Sequence, residues 1–463
     1  MDVAEKKVLV MGAARSGIAS ARFLSQRGAV VALSDRKPLD EWPAEALALK
    51  TEGVGLIHGD PPSWLLDQIE LIVISPGIPS GTIPMRYAER AGAEVIGEVE
   101  LASRYLRGRV VAITGTNGKT TTTTLIGKML KDAGITVQVG GNIGTPLISL
   151  VDSSRADGWT VAEVSSFQLE TTVSFHPEVA AVLNVTPNHM DRYESLNDYA
   201  GAKHRVFRNQ TAEDIAILNA DDEIVSSWAN GLRAHVVQFS VARELEEGLF
   251  LRQGRELVSR TRSGERILAI RDEMQLRGLH NVENVLAALA AGLACGAAPD
   301  AMRQTIASFQ PVEHRLEQVA EINGVRFYND SKATSVDATM KALEAFADDE
   351  GKIILILGGR GKQAPYAPLA PLVKTRVRKL ILIGEDAENI ERELKEEAPL
   401  ERAGDMGEAV QRAFAAARPG DTVLLAPACA SFDMFESFEH RGRVFKEEVS
   451  SLKVKVSGSE IQI

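Results

Sequence analysis

"VVAITGTNGKTTTTTLIGKML", residues 110–130, places an apolar run, a short glycine- and threonine-rich segment and an amphipathic run in direct succession. This order predicts a buried strand, a tight turn and a helix. The common phosphate-loop pattern requires a glycine five positions before its Gly-Lys pair, and this sequence has Ile113 there. The stretch therefore has the setting of a phosphate loop without its full pattern.

The residues of the turn fit a bound nucleotide despite this departure. Gly115 and Gly118 allow backbone amides to converge on phosphate oxygens, and Lys119 adds a positive charge at the terminal phosphates. Thr120 offers a hydroxyl to a bound Mg²⁺. The alternative is a tight turn with an incidental lysine. We favour the nucleotide site because both the preceding strand and the following helix fit it.

Composition limits the class of protein. The chain has 463 residues, enough for about three domains, and is 44% hydrophobic and 25% charged, as in ordinary globular proteins. A net charge of −11 argues against nucleic acid as the main partner. Cys295 and Cys429 cannot form a disulfide framework. No signal-peptide pattern and no apolar run of about 20 residues is found, so we expect a cytoplasmic protein without membrane insertion.

The first segment, "KKVLVMGAARSGIASARFLSQRGAVVALSD" (6–35), reads as strand, glycine turn, helix and strand. Gly12 and Gly17 are the outer glycines of a dinucleotide fingerprint, but Ala14 replaces the middle one. Asp35 ends the second strand, where an acid that binds ribose would lie. The turn could serve NAD, another nucleotide or packing alone.

Polar residues follow several other predicted strands. Glu163 ends "WTVAEVSSFQ", where a carboxylate could hold Mg²⁺ beside the phosphate loop, although a solvated strand end is the ordinary alternative. "NVTPNHMDRY" (184–193) contains His189, and "GAKHRVF" places Lys203 on a helix. Taken alone, these two would be a structural histidine and a solvent-facing lysine.

The remaining sequence predicts further strands and helices. "GLFLRQGRELVSRTRSGERILAI" (248–270) indicates a β-meander, and apolar residues from Val282 to Leu293 have helical spacing. After Pro311 a third α/β pattern begins, with four polar clusters: "EHRLE", "YNDSKATS", "GGRGK" and "PACASFDMFESFEHRG". Polar clusters at strand ends are where open α/β sheets bind ligands. We expect three α/β domains in series, over residues 1–97, 98–311 and 312–463.

Taken together, these stretches resemble the Mur ligases, the ATP-dependent enzymes that add amino acids in peptidoglycan synthesis, over nearly the whole chain. "TGTNGKTT" resembles the shortened nucleotide loop of that family. "EVSSFQLE", "NVTPNHMDRY", "GGNIG", "NDSKATS" and "PACASFDMFESFEHRG" look like the members that add D-glutamate. The Asp-Asn-Pro-Arg motif typical of members that add diaminopimelate is missing. Asn188 is a departure, since relatives usually have aspartate before the histidine.

The resemblance implies a fold and a reaction. The first domain would be Rossmann-like and bind a UDP-sugar, the central one P-loop ATPase-like, and the third Rossmann-like, holding the amino acid and part of ATP. The reaction would join D-glutamate to UDP-N-acetylmuramoyl-L-alanine through an acyl phosphate, releasing ADP and phosphate. Two Mg²⁺ ions and a carbamate on Lys203 are implied as well. A monomer is expected.

The resemblance also implies the site residues. Those around ATP would be Gly115, Thr116, Asn117, Gly118, Lys119, Thr120, Thr121, Asn284, Arg315 and Asp330. Those around the UDP-sugar would be Arg15, Ser16, Asp35, Arg36, Ser75 and Asn142. Those around D-glutamate would be Lys332, Thr334, Lys362, Ser431 and Phe438. Metal would be held by Thr120, Glu163, His189 and Lys203, and the catalytic group would be Lys119, Glu163, His189 and Lys203.

Three alternatives are considered. Folylpolyglutamate synthase shares the central architecture and the amide-forming chemistry but lacks the UDP-binding unit. An NAD-binding regulatory protein would leave the phosphate loop unused. A motor or switch ATPase would turn over ATP without an amine acceptor. Dependence of ADP release on both the UDP-muramoyl substrate and D-glutamate separates these possibilities.

Overall fold

The computed structural model describes residues 1–79, 82–190, 192–310, 313–347, 349–361 and 364–459, which form three α/β sheets. The chain divides into two compact units. The first contains Met1–Glu273 and Glu283–Ser308, and the second contains Met274–Val282 and Phe309–Ile463. The first unit holds two sheets and the second holds one. Within the described ranges, no helix has the length and apolar character needed to span a membrane.

The first sheet is parallel throughout, with strand order β3-β2-β1-β4-β5. Its strands are β1 (Lys7–Met11), β2 (Val30–Asp35), β3 (Gly55–His58), β4 (Leu71–Ile74) and β5 (Glu94–Gly97). Its helices are α1 (Arg15–Ser25), α2 (Ala44–Ala48), α3 (Ser63–Leu66), α4 (Ile83–Arg90) and α5 (Glu98–Ser103). The predicted strand, turn, helix and strand of residues 6–35 are confirmed. The strand order reverses between β1 and β4, the place where such sheets bind ligands.

The central sheet has nine strands in the order β14-β13-β12-β11-β10-β9-β6-β8-β7. Its strands are β6 (Arg109–Thr114), β7 (Val137–Gly141), β8 (Trp159–Glu163), β9 (Val179–Val182), β10 (Ile215–Asn219), β11 (His235–Ser240), β12 (Gly248–Arg252), β13 (Glu256–Thr261) and β14 (Gly264–Ile270). Its helices are α6 (Lys119–Asp132), α7 (Ser166–Leu169), α8 (Leu196–His204), α9 (Glu223–Ser227), α10 (Leu279–Ala294) and α11 (Pro299–Ser308). The antiparallel strands β12 to β14 confirm the predicted β-meander.

Strand register explains why the central polar residues converge. β6 lies between β8 and β9, with Ile113 opposite Glu163 and Thr114 opposite Val182. All three strands are parallel, so their carboxyl ends meet at one edge of the sheet. The loop after β6 therefore lies between Glu163 and the segment that begins at Leu183.

The third sheet has the order β15-β16-β20-β17-β18-β19, in which only β15 is antiparallel to its neighbour. Its strands are β15 (Glu317–Ile322), β16 (Val325–Asn329), β17 (Ile353–Gly358), β18 (Val377–Ile383), β19 (Leu400–Arg402) and β20 (Thr422–Leu425). Its helices are α12 (Val336–Glu344), α13 (Ala370–Arg376), α14 (Ala387–Leu394), α15 (Met406–Ala416) and α16 (Phe438–Ser459). The third α/β pattern predicted after Pro311 is confirmed.

A buried carboxylate joins α5 to the central part of the first unit. Glu100 is fully buried and accepts hydrogen bonds from the backbone amides of Val173, Ser174 and Phe175 at 2.8–3.0 Å. Arg104, one turn later, donates to Glu100 at 2.8 Å and to the half-exposed Glu94 at 2.6 Å. Buried charges are stable only when fully paired in this way.

We expect Glu100→Ala to lower the free energy of unfolding by about 3 kcal/mol, because several buried donors lose their acceptor. Glu94→Ala is the matched control, since it removes the exposed partner of the same arginine. It should cost less than about 1 kcal/mol. Urea unfolding of both variants measures the difference, and equal midpoints would contradict the proposed importance of Glu100.

Candidate functional site

The turn Gly115–Gly118 connects β6 to α6 and requires its glycines. Gly115 has φ +150° and Gly118 has φ +84°. A Cβ atom on Gly118 would lie 2.1 Å from Oδ1 of Asn284, so a side chain there would require Asn284 to move in addition to straining the backbone. Gly118 precedes α6 without a capping side chain, so the amides of the first helical turn face the end of the loop. The turn thus has a backbone geometry that suits an anion, and nucleotide binding there stays a prediction.

Asn184 and Thr116 hold the loop in shape. The amide of Asn117 donates to Oδ1 of Asn184 at 2.8 Å, and the amide of Thr116 donates to the backbone oxygen of Asn184 at 2.9 Å. The amide of Thr186 donates to Oγ1 of Thr116 at 3.0 Å. The loop is therefore fixed by the segment after β9 before any ligand binds.

Two lysine side chains donate to one carbonyl oxygen of the loop. Nζ of Lys119 and Nζ of Lys203 each lie 2.8 Å from the oxygen of Gly115. Lys203 is 1% exposed and lies with its Nζ 4.4 Å from the centre of the Tyr199 ring. Burial, with a smaller contribution from the nearby Lys119 charge, holds the pKa of Lys203 well below its ordinary value. The ordinary interpretation of Lys203 as a solvent-facing lysine is wrong.

Glu163 ends β8, the strand next to β6, and one of its carboxylate oxygens has no hydrogen-bond donor among the described residues. It is 2% exposed, and its Oε1 accepts a hydrogen bond from Nδ2 of Asn142 at 2.9 Å. Its Oε2 is buried and has no hydrogen-bond partner among the described residues. A buried carboxylate oxygen without a donor suits a bound cation, so Glu163 fits the expected Mg²⁺.

His189 lies on a left-handed turn beside an aromatic cluster. Its φ is +57°, and its ring centre lies 4.9 Å from that of Phe167 and 6.4 Å from that of Tyr199. Oδ1 of Asn188 accepts the backbone amide of His189 at 3.0 Å. The side-chain carboxamide of Asn188 therefore caps the turn. This role requires an acceptor oxygen and does not require a negative charge.

In the first sheet, Ser75 and the turn before Arg15 and Ser16 lie at the reversal of strand order. A Cβ atom on Gly12 would lie 2.7 Å from Oγ of Ser75, so the two turns touch. Asp35 accepts the backbone amide of Ala13 at 2.8 Å and thereby fixes the turn. Arg15 opens α1 and contacts the oxygen of Gly144 at 3.4 Å, in the turn that also carries Asn142.

The other two expected residues lie at this edge of the sheet. Ser16 is in the first turn of α1, and Arg36 is an exposed side chain with Nε 3.6 Å from Asp60.

In the second unit, Asp330 and Arg315 face each other across the carboxyl end of β16. Asp330 is buried, and burial raises its pKa to about 7 against the opposing effect of the Arg315 charge. Its Oδ1 accepts the amide of Leu316 at 3.3 Å. His314 and Leu316, on either side of Arg315, both have positive φ, 65° and 43°. Non-glycine residues in this conformation indicate strain that the surrounding contacts hold in place.

Three turns meet at the carboxyl ends of β16, β20 and β17. The amide of Ala428 donates to the oxygen of Ala333, beside Thr334, at 2.9 Å. Arg360 and Ala430, beside Ser431, exchange two backbone hydrogen bonds at 2.9 and 3.0 Å.

The side chains expected around D-glutamate lie on or beside these turns. Nζ of Lys332 lies 3.8 Å from the centre of the Phe438 ring, and Ser431 is buried. Lys362, the remaining expected side chain, is outside the described residues. The structure therefore brings Lys332, Thr334, Ser431 and Phe438 to one edge of the third sheet.

The sequence reasoning overlooked three residues that shape these sites. Asn184 fixes the phosphate loop, and Tyr199 contacts both Lys203 and Oγ1 of Thr116. Arg441 is fully buried and donates to Ser331 and to the oxygens of Cys429 and Ala430. Tyr199 lies four residues before Lys203 in a helix, so helical spacing could have found it. Arg441 has no such local signal.

Comparison with protein families assigns all three parts of the chain. Residues 6–97 match the family described as "Mur ligase MurD-like, N-terminal domain". Residues 113–292 match "Mur ligase middle domain", and residues 314–429 match "Mur ligase, glutamate ligase domain". The expected series of three domains is confirmed.

Two solved structures share the fold of this chain, at sequence identities too low to indicate a shared activity. A MurF ligase from Thermotoga maritima in complex with ADP superimposes with a TM-score of 0.63 and 16% identity, covering 97% of this chain and 96% of that one. A pseudomurein peptide ligase type C from Methanothermus fervidus superimposes with a TM-score of 0.61 and 20% identity, covering 97% of this chain and 100% of that one.

Curated relatives are much more similar. UDP-N-acetylmuramoylalanine--D-glutamate ligase of Acidobacterium capsulatum is 48% identical, with 97% of each chain covered. The protein of the same name from Koribacter versatilis is 47% identical over 98% of this chain and 99% of its own length. With such identity over nearly its whole length, the chain belongs to the Mur ligase family.

Proposed function

We propose that this protein is an ATP-dependent ligase that joins D-glutamate to the carboxylate of UDP-N-acetylmuramoyl-L-alanine. The observation that carries the proposal is a convergence of groups at one edge of the central sheet. These groups are the phosphate loop, Lys119, Lys203 and Glu163, whose Oε2 has no hydrogen-bond partner among the described residues. The name shared by relatives at 47–48% identity supports the substrates. A carboxylate is a poor acyl donor, so forming an amide from it requires activation by ATP.

In the first step, a substrate carboxylate oxygen would bond to the γ-phosphorus of ATP, and the bond from that phosphorus to the bridging oxygen of ADP would break. The loop amides would hold the phosphates, and Lys119 would move from its present carbonyl acceptors to the transferring group. Because Asn184 holds the backbone of the loop, the loop amides that would face the phosphates need no reorganisation during the reaction.

Mg²⁺ is the expected metal, and we propose that Thr120, Glu163, His189 and a modified Lys203 hold it at two positions. When bound, Mg²⁺ would neutralise the phosphate charge that meets the substrate carboxylate. Oε2 of Glu163 supports this assignment because it is buried without a donor in the described part of the chain. The role of Asn142 would be to orient that carboxylate through Oε1.

An unmodified Lys203 does not suit a cation site, so we propose that it is carbamylated. The Lys203 ammonium would first lose one proton. The neutral amine would then attack CO₂, forming a carbon–nitrogen bond and losing a second proton, so that a negative charge replaces the positive one. Deep burial supports this, because it favours the neutral, nucleophilic amine. Within the described residues Lys203 forms no ion pair, and its contacts are the Gly115 oxygen and the Tyr199 ring.

In the second step, the amine of D-glutamate would attack the acyl phosphate carbonyl, and phosphate would leave with its oxygen. We propose that Lys332, Thr334, Lys362, Ser431 and Phe438 hold the amino acid. Cations and hydroxyl donors suit its carboxylates. Asp330 and Arg315 would contact the ribose and phosphates of ATP. We propose that the protein acts as a monomer in the cytoplasm. All the proposed site residues belong to one chain, and ATP and a UDP-linked precursor are cytoplasmic substrates.

We predict that Lys119→Ala lowers the rate of ligation by at least about 10³-fold, because the lysine would contact charge that grows in the transition state. Lys128→Ala, on the exposed side of the same helix, should act like the parent. ADP release in the presence of both substrates is the measurement. A folded Lys119→Ala protein with near-parent turnover would exclude the phosphate-loop assignment.

We predict that Lys203→Ala is nearly inactive and that formate or acetate at high concentration restores part of its rate. The small carboxylate would occupy the ligand position that the carbamate vacates. Lys203→Arg keeps the charge, cannot carry a carbamate and should not be rescued. With ¹³C-labelled bicarbonate, the parent should show a carbamate carbon signal that both variants lack. Full activity of Lys203→Ala would reject the modification.

We predict strict use of D-glutamate over L-glutamate, because placing the amine and both carboxylates fixes the chirality. Lys362→Ala should mainly raise the KM for D-glutamate, while Lys374→Ala, an exposed lysine of α13, should not. Steady-state kinetics with each amino acid provides the test. Equal use of L-glutamate or of diaminopimelate would place the protein in another branch of the family.

A further inference from the structure

Arg192 joins the turn that carries His189 to the first sheet. Its Nη1 donates to the backbone oxygen of Pro76 at 3.0 Å, directly after Ser75 at the reversal of strand order. Its backbone amide donates to the oxygen of His189 at 3.0 Å. One residue thus contacts both the turn expected near the UDP-sugar and the turn expected near the metal.

The guanidinium of Arg192 is held in place by two further contacts. Nη2 lies 3.1 Å from Oε2 of Glu170, and the guanidinium carbon lies 4.0 Å from the centre of the Phe167 ring. The hydroxyl of Tyr193 donates to the other oxygen of Glu170. Arg192 and Glu170 are each 18% exposed, so water screens this ion pair only in part.

The same group of contacts reaches the elements that carry Glu163 and Lys203. Glu170 follows α7, which begins three residues after Glu163. Arg205, two residues after Lys203, donates to the backbone oxygens of Leu169 and Thr172 on either side of Glu170. Phe167 also packs against His189. Arg192 is therefore a side chain that connects this assembly to the Ser75–Pro76 turn by a direct hydrogen bond.

We infer that Arg192 is a positioning residue that sets the separation between the UDP-sugar turn and the His189 turn. The inference rests on the proposed function, in which one substrate extends from a uridine nucleotide at the first sheet to a reacting carboxylate at the central sheet. A displacement of about 1 Å at the reacting end can cost a factor of about 10² in rate. His189 has positive φ and needs external contacts to keep that conformation.

Arginine is required here because its planar fork reaches two acceptors while its face covers a ring. Lysine keeps the charge but lacks the planar fork and flat face of the guanidinium, so we expect it to lose at least one of the contacts to Pro76, Glu170 and Phe167. Arg192→Lys is therefore the informative substitution. Arg260→Lys is the matched control, because Arg260 pairs with Glu265 and Glu244 at 2.7 and 2.9 Å and lies over Phe250, in the β-meander.

Hydrogen–deuterium exchange of the full-length protein without ligands tests the connection itself. In Arg192→Lys, we expect amides of residues 75–79 and of residues 186–190 to exchange at least about tenfold faster, both together. Arg260→Lys should match the parent in both segments. Unchanged exchange in Arg192→Lys, or a change in only one of the two segments, would overturn the inference.

Kinetics and calorimetry test whether this connection affects substrate binding and turnover. We expect Arg192→Lys to bind UDP-N-acetylmuramoyl-L-alanine about tenfold more weakly and to lower kcat about 10- to 100-fold, with the KM for ATP and D-glutamate unchanged. Glu170→Gln, which keeps an acceptor oxygen, should fall between this variant and the parent. Faster exchange with parent-like affinity and kcat, or an equal rise in all three KM values, would show that Arg192 serves only the fold.

The two hypotheses fail in different ways. A parent protein that neither binds the UDP-sugar nor releases ADP with both substrates would refute the proposed function. The exchange measurement would still decide whether Arg192 connects the two turns.

Discussion

The carbonyl oxygen of Gly115 is the point around which the charges of the central site are arranged. It accepts hydrogen bonds from Lys119 and Lys203 at 2.8 Å each, so the two nitrogens are at most 5.6 Å apart. Two positive charges at that separation repel by about 3 kcal/mol in an effective dielectric of 20. The arrangement is stable when one amine is neutral or when anions enter between them. Both conditions agree with the proposals that this site binds phosphates and that Lys203 is carbamylated.

Strand order then determines what surrounds this oxygen. Because β6 lies between β8 and β9, the loop has Glu163 on one side and Asn184 on the other. The two neighbours have different tasks. Asn184 is fully engaged with the loop backbone, whereas Glu163 keeps one oxygen without a partner in the described chain. The edge of the central sheet therefore carries a rigid loop with fixed backbone donors, and next to it a carboxylate oxygen that is available to a metal ion.

Local spacing was enough to predict the strand, turn and helix around Gly115, the glycine turn of the first sheet and the β-meander. It also placed Glu163 at a strand end, because a carboxylate that follows an apolar run is visible in sequence. The burial of Lys203 was not predictable, since it depends on how α8 packs on the loop. The left-handed residues around Arg315 and the contact from Arg192 to Pro76 were missed for the same reason. Each depends on segments that are distant in sequence and has no periodic signal.

The apolar core has a consequence for how the protein can be divided. One continuous cluster of buried side chains includes Val8 of β1 and Leu24 of α1, and also Ala112 and Val182 of the central sheet. The buried carboxylate of Glu100 on α5 also connects these parts, because it accepts the backbone amides of Val173 and Phe175. A fragment that ends at residue 97 would expose one apolar face of its sheet to water and lose α5. The smallest piece able to fold cooperatively is therefore larger than the first sheet, and evolution could exchange this first domain only together with the surface it packs on.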